Sequence, residues 1–499
     1  MLRILRDKRT YGLVFVIVLV ASVFWLLYAF YRFPRQSWVD GLLESWFLSK
    51  GLVMYRDFTN QYPPLLFIIL MPFHKIFGFS QNPTMYLAPI TSLGTLAVLA
   101  YVSFKWLKGW VKIIPIMFYA FWDPILSENH FMTTSFHSII NLLVFVVWWS
   151  WYAAPKKIKA FILGLLLSLS LLTMQIVVFF IALIFVSVLY RVLKDRKKVG
   201  DSHFFLVLLG FLLPCLLVIW WLFKTGAFPD FYYWNITYYF PGIYPFFAMG
   251  KGARDLRMYL AIISPILILA YVWFTKISRN GFFTQTFYAV VVAASLPATF
   301  WFAIFHPSRF YMMMPIFALI FGLGTNIFFK EKTKNKKIFA LMMAGIVFFN
   351  LLVFIKDLTP IYAKFINHPR EYQMLDRIYE NDPIYQSIEW VKNNTPENSR
   401  LFVTETSLFY FASRRLPSSS RATMSLPWVF EPLSLFKEEL IKNPPDYWVI
   451  DERNWIRFKN FGYQHIVDFF KKIITCDRPI IKFDYITITK HSGGSKFCF

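Results

Sequence analysis

The sequence predicts a polytopic α-helical membrane protein of about 11 spans with a C-terminal extracytoplasmic α/β domain. Three observations lead there. Apolar residues make up 57% of the 499 positions and charged residues 16%, a balance unlike that of soluble domains. Several apolar runs reach about 20 residues, the length that crosses a bilayer. Charge also divides the chain, because 32 of the 52 Lys and Arg but 11 of the 28 Asp and Glu precede Lys356. The net charge of +24 therefore resides almost wholly in the apolar part. A basic balance often marks nucleic-acid binding, but here it reads as loop charge that sets membrane orientation, so no nucleic acid is expected as a partner.

The first run, 11–31, is too long for a signal-peptide core and has no small-residue cleavage site after it, so it reads as a retained span. Basic clusters follow at Arg3–Arg9, Lys105–Lys112, Lys156–Lys159, Arg191–Lys198, Lys276–Arg279 and Lys330–Lys337. The positive-inside rule puts all six in the cytoplasm. The spans between them are 11–31, 84–104, 111–122, 136–153, 160–174, 175–191, 203–223, 258–275, 283–302, 309–329 and 338–355. The apolar run 63–79 is short and interrupted by Pro72, His74 and Lys75, and counting it as a span would turn Lys105–Lys112 outward. It reads instead as a helix in the outer interface. The expected organisation is a membrane domain over 1–355, with a first outer loop at 32–83 bearing amphipathic helices, and a soluble domain over 356–499. The N-terminus is expected in the cytoplasm of a multi-pass plasma or inner membrane protein, and the C-terminal domain outside.

In that last domain Asp382-Pro383 opens a helix with proline at its first position. The segments 400–404, 446–450 and 480–489 read as strands separated by helical patterns. The three cysteines, Cys215, Cys476 and Cys498, have no metal-site spacing. Cys476 and Cys498 can pair if the segment is extracytoplasmic, and free thiols are an equal reading.

Candidate chemistry concentrates in "SWVDGLLESWFLSKGLVMYRDFTNQYPPL", residues 37–65. A helix over 38–50 puts Trp38, Leu42, Trp46 and Phe47 on one side and Asp40 and Glu44 on another, which suits the membrane surface. Asp40 has two readings, a functional carboxylate or the third position of a Ser37-x-x-Asp40 capping box. Pro63-Pro64 stiffens the loop and keeps Tyr62 extended, while Asp57 beside Arg56 is either a surface pair or a group that holds the loop. Further on, Asp123, Glu128 and His130 are polar groups at membrane depth, and 231–247 is rich in aromatics that suit a lipid or sugar groove or an interfacial belt. The triplet 235–237, Asn-Ile-Thr, is a formal glycosylation acceptor.

A carboxylate after the first span followed by "G…YRDF…YPPL" resembles the GT-C superfamily of integral-membrane glycosyltransferases. The branch it is most similar to holds the prokaryotic relatives of protein O-mannosyltransferases and lipid A aminoarabinose transferases. The resemblance continues in order along nearly the whole chain. Residues 118–145 look like the second outer loop, and 170–175 like a short outer turn, with Met174 where the family often has lysine. Residues 305–322 look like the late H-x-x-R-Y…P segment, with Phe310 in the usual tyrosine place, and 388–417 like the outer C-terminal domain.

The resemblance implies a sugar transfer from a polyprenyl-phosphate-linked donor to an acceptor hydroxyl on the outer face. Phosphate is a good leaving group, so the reaction needs cations or donors to stabilise it and one base for the hydroxyl. Carried onto this chain, Asp40 is the expected base, with Glu44 and Glu128 as further catalytic carboxylates. Arg309, His306 and Gln175 would bind the donor phosphate, and Arg56, Asp57, Tyr62 and His130 would position the loop and substrate. Arg309 snorkelling to lipid headgroups is the plain alternative. No cofactor is predicted, with a divalent metal left undecided. The expected partners are the lipid donor, an acceptor that is lipid, glycan or protein, and the membrane. The rival functions are a transporter or flippase and a surface-polysaccharide polymerase or ligase. The transporter reading is weakened because no Asp or Glu falls inside a predicted span.

Overall fold

The computed structural model describes residues 8–32, 39–60, 62–126, 133–237, 311–312, 314–330, 382–404, 408–420, 433–453, 455, 459, 463–477 and 479–491. In chain order its principal helices are α1 (Lys8–Arg32), α2 (Val39–Ser49), α3 (Leu65–Phe77), α4 (Gln81–Trp106), α5 (Ile113–Leu126), α6 (Thr133–Ala153), α7 (Lys157–Thr173), α8 (Val178–Lys194), α9 (Ser202–Lys224) and α10 (Met314–Lys330). After residue 382 come α11 (Pro383–Asn394), α12 (Leu408–Ser413), α13 (Leu433–Lys442) and α14 (Gln464–Cys476). Two compact units result. One contains α1, α4 from Met85, α5 to α8, α9 to Val218, and α10; the other contains 39–84, 219–237 and everything described from 382 onward.

Among the described residues, four helices are long and apolar enough to cross a bilayer, at Thr10–Tyr31, Pro83–Trp106, Thr133–Ala153 and Ser202–Lys224, each mostly in the first unit. They fall on the expected spans 11–31, 84–104, 136–153 and 203–223. The protein is thus a multi-pass membrane protein. Shorter helices α5, α7, α8 and α10 lie at four further expected crossings, and 258–275, 283–302 and 338–355 lie outside the described residues. Leu13, Val16, Ile17, Val20 and Phe24 of α1 are exposed, as side chains that meet lipid rather than protein would be.

Small and polar residues hold this bundle together, since lipid supplies no hydrophobic force between apolar helices. A Cβ on Gly164 of α7 would lie 2.1 Å from the Val207 carbonyl oxygen of α9, and one on Gly210 would lie 2.4 Å from that of Phe161. Only glycine permits so close an approach. Ser170 Oγ donates to Asn141 Oδ1 at 2.9 Å, Thr173 Oγ1 lies 2.8 Å from His137 Nε2, and Trp148 Nε1 donates to Ser187 Oγ at 3.0 Å.

Among the described residues, several of the basic connections lie near one another. Burial, then Lys156 and Lys105, lowers the Lys159 ammonium, so the α4–α5 and α6–α7 connections are neighbours. Trp151 at the end of α6 donates from Nε1 to His203 Nδ1 at the start of α9 (3.1 Å). The Lys108 N–H reaches Asn326 Oδ1 near the end of α10 at 3.4 Å.

The second unit contains a five-stranded sheet ordered β2-β1-β3-β5-β4, with β1 at Arg400–Val403, β2 at Leu416–Pro417, β3 at Tyr447–Asp451, β4 at Pro479–Phe483 and β5 at Ile486–Lys490. β1 runs parallel to β2 and β3, while β3–β5 and β5–β4 are antiparallel. Central β3 is buried throughout, and Phe402, Phe436, Trp448, Phe469 and Phe470 form an aromatic core against it. Pro383 opens α11 as expected, with Asp382 Oδ1 accepting from the Ile384 N–H at 2.8 Å. The run 480–489, expected as one strand, is a hairpin broken at Asp484, whose φ of 46° places it in the left-handed region that Asp tolerates in turns.

α3 is 13 residues long, about 20 Å, which is shorter than the roughly 30 Å hydrocarbon layer. The surface placement of the 38–50 helix needs correction. α2 is buried along Gly41–Phe47, with Glu44 inside as well. Trp46 packs edge-on against Phe411 (5.6 Å), and Phe47 against Tyr410 and Phe58. Aromatics that suited a membrane surface on sequence grounds are taken up by protein because α12 and α3 cover them.

Candidate active site

The stretch linking α2 to α3 is a folded loop with its own hydrogen-bond set. Gly51, at φ 83°, turns the chain out of α2. Tyr55 follows at φ 74°, which is uncommon for a non-glycine residue, and it is fully buried. Its hydroxyl donates to the Tyr62 carbonyl at 2.7 Å, and its N–H donates to the Phe58 carbonyl at 2.7 Å. The Arg56 guanidinium donates from Nε and Nη2 to the two oxygens of Asp57 at 2.8 and 2.9 Å, and from Nη1 to the Thr225 carbonyl at 3.0 Å. Asp57 Oδ2 also accepts the Val53 N–H at 2.7 Å. Burial alone would raise the Asp57 carboxyl, but the hydrogen bonds from Arg56 and Val53, with Arg400 nearby, outweigh it and hold it below the usual range. Asn60 Oδ1 accepts the Tyr62 N–H at 2.6 Å, the local bond that precedes the rigid Pro63-Pro64 entry to α3. Thr59 N–H donates to the Ser420 carbonyl at 3.2 Å.

Glu44 lies on α2, 8% exposed. Burial, then the Glu44 charge, pushes the Tyr55 phenol well above its ordinary range, against a lowering hydrogen bond with Asn235. Asn235 sits in a π-helical turn, Tyr233–Thr237, and is buried. Buried there, it is not placed to accept a glycan. Tyr55 thus ties Tyr62 and Asn235 together, within the charge of Glu44, and Arg56 with Asp57 clasps the same loop. Asp40 is the second residue of α2, one helical turn before Glu44; its side chain lies outside the described residues, as do Ser37, Glu128, His130, His306, Arg309 and Cys498. Gln175 opens a one-turn 3-10 helix, Gln175–Val177, between α7 and α8 in the other unit.

His74 and Asp123 are centres that sequence reasoning did not place in the site. His74 Nδ1 lies 2.6 Å from Ser45 Oγ of α2, and its Nε2 lies 2.8 Å from Thr84 Oγ1 of α4. Burial lowers this imidazole to about 4. Asp123, in the first unit, accepts from Tyr311 Oη at 2.5 Å and from Ser92 Oγ at 3.1 Å. The only sequence signal for either was a polar residue inside an apolar run.

The fold resembles that of known structures. ArnT from Cupriavidus metallidurans bound to undecaprenyl phosphate aligns with a TM-score of 0.56 over 98% of this chain and 99% of that one, at 11% identity. The apo state of the same protein gives 0.54 over 96% and 97%, at 10% identity. The Archaeoglobus fulgidus oligosaccharyltransferase tethered to an acceptor peptide containing the NVT sequon gives 0.51 over 91% and 72%, at 12% identity. Both proteins are GT-C superfamily membrane glycosyltransferases.

The chain has the GT-C fold.

At these identities the GT-C likeness speaks for the fold and leaves the site to its own geometry. No family model matches the sequence, and no curated protein matches it.

Proposed function

We propose that this GT-C chain is a membrane glycosyltransferase that moves a sugar from a polyprenyl-phosphate-linked donor to an acceptor hydroxyl at the outer face of the membrane. The observation that carries this is the end-to-end likeness to ArnT, a protein solved with undecaprenyl phosphate bound. In this reading the acceptor oxygen attacks the anomeric carbon and its proton passes to the Asp40 carboxylate. The bond from that carbon to phosphate oxygen breaks, and polyprenyl phosphate leaves as an anion. Arg309, with His306 and Gln175, stabilises that anion. Glu44 and Glu128 are the supporting carboxylates. The Arg56–Asp57 clasp and Tyr62 hold the α2–α3 loop, and His130 helps to position the substrate.

An outer-face site is supported by the nearness of several basic connections in the membrane unit and by the disulfide at Cys476, since disulfides persist outside the reducing cytoplasm. The C-terminal α/β domain is read as extracytoplasmic on the same grounds. The test is to incubate purified protein with a panel of polyprenyl-phosphate sugars and follow release of polyprenyl phosphate together with appearance of glycosylated acceptor. Turnover of one panel member is expected, and running the assay with and without a chelator decides whether a divalent metal takes part. Failure to turn over any panel member, in protein shown to be folded, would overturn the reading.

A further inference from the structure

The first unit holds its cations in two different settings. In the α8–α9 connection Arg191 pairs with Asp195, and Arg196 with Asp201 at 2.7 Å. The α4–α5 and α6–α7 connections have no such acids, because no Asp or Glu occurs over 58–122 or over 129–194. The fold brings lysines of these two connections together. Lys159 Nζ donates to the Ser150 carbonyl at 3.0 Å, to Ser150 Oγ at 2.8 Å and to the Ala154 carbonyl at 3.4 Å, which pins it to the end of α6. Burial lowers its ammonium, and the charges of Lys156 and Lys105 lower it further, so all three stand close. Lys105 Nζ lies 5.4 Å from the centre of the Tyr101 ring and donates to Tyr101 Oη at 3.3 Å. Lys112 Nζ lies 3.9 Å from the centre of the Phe104 ring. Tyr101, Phe104 and Lys105 share one face of α4, and Tyr101, Phe104 and Ile158 are all exposed.

We propose that Lys105 and Lys156, flanked by Lys112, bind the phosphate of an anionic phospholipid whose acyl chains lie against Tyr101, Phe104 and Ile158. Charge complementarity and depth select this occupant. Ammonium groups held together with no acid in their own connections repel one another, and an anion set between them removes that cost. Lys105 is in the last turn of the spanning helix Pro83–Trp106, and Lys156 follows the spanning helix Thr133–Ala153 by three residues. Both therefore sit where a span gives way to its connection, the level of lipid phosphates. A free phosphate would meet the cations and leave the exposed rings uncovered. A lipid brings hydrocarbon to the same place, because its chains run from the phosphate back along the apolar face of α4. The α8–α9 connection offers less to such a headgroup, since Arg191 and Arg196 are already neutralised by Asp195 and Asp201.

The test is native mass spectrometry of the full-length protein released from mild detergent, titrated with dioleoyl-phosphatidylglycerol or dioleoyl-phosphatidylcholine. The wild type is expected to bind the anionic lipid about tenfold more tightly than the zwitterionic one. Lys105→Gln combined with Lys156→Gln should bring the two lipids to within about twofold of each other. Lys194→Gln combined with Lys197→Gln removes the same charge from the α8–α9 connection and should keep the preference. Should the first pair of replacements misfold, Lys156→Gln alone, in an exposed turn, should still lower the preference several-fold. Equal binding of the two lipids by the wild type would overturn the proposal. Equal loss of preference in the two double variants would overturn it in favour of general charge attraction. Displacement of the anionic lipid by inorganic phosphate at equal concentration would overturn it in favour of a soluble anion. None of these readouts depends on sugar transfer.

Discussion

At the residue scale, Asp40 carries two roles that one substitution separates. Asp40→Asn keeps a side-chain oxygen of the same size but cannot take a proton from an attacking hydroxyl. A cap alone predicts a stability loss of about 1 kcal/mol or less and near-normal turnover. A general base predicts a fall of about 10²–10⁴-fold in transfer with the fold retained. The second outcome is expected; transfer rate and thermal stability measured on one preparation distinguish them. His74 offers a pH-linked test. Its folded value is lowered to about 4 by burial, whereas the unfolded value is near 6.5. Between these values the unfolded chain binds more protons, so the His74 contribution is complete above about 6.5 and is lost as pH falls toward 4. His74→Gln can keep both hydrogen bonds without titrating. Its melting temperature should therefore fall less than that of the wild type between pH 7 and 4, and parallel curves would remove His74 as the cause. The Arg56–Asp57 pair was visible in sequence because its members are adjacent. The partners of His74 lie 29 and 10 residues away, at Ser45 and Thr84, and no local pattern points to them.

At the element scale, periodicity located helices well and their surroundings poorly. The helix expected over 38–50 is α2, but alternation of apolar and acidic residues does not say whether lipid, water or protein covers each face. Here α3 and α12 cover it, and the Trp46–Phe411 contact joins positions 365 residues apart. The α7–α9 crossing makes a sharper statement about packing. Gly164→Ala places a methyl group 2.1 Å from a backbone oxygen that no rotamer can relieve, so the helices must separate. A loss of about 1–3 kcal/mol is expected in detergent unfolding. Gly12→Ala in α1, with nothing within 4 Å of the added carbon, should be close to neutral or slightly stabilising. Comparable losses in both would mean that the effect is general to glycine replacement rather than due to this crossing.

At the scale of the whole molecule, the sidedness of the chain is the statement on which the outer-face site depends. Single cysteines at Lys108 and at Lys459 are expected on opposite sides of the membrane. In intact cells an impermeant thiol reagent should label Lys459→Cys and spare Lys108→Cys. Cys215 is buried and Cys476 is in a disulfide, so the background is expected to be low. Equal labelling at the two positions would reject the topology and move the proposed site away from the outer face.

Composition, run length and loop charge by themselves determined that this is a multi-pass helical membrane protein, because burying a backbone in hydrocarbon demands long apolar helices and leaves charge for the connections. The order of weak motifs along the chain was also enough to bring the GT-C superfamily into view. Only the tertiary structure decided that Glu44 is buried, that Tyr55 meets Asn235, that 480–489 doubles back at Asp484, and that Asp123 meets Ser92 and Tyr311. Tyr311 is 188 residues from Asp123 and Asn235 is 180 residues from Tyr55. Local patterns report how each element meets its solvent, whereas a buried polar contact is fixed by which elements pack together, and that information is spread over the whole chain.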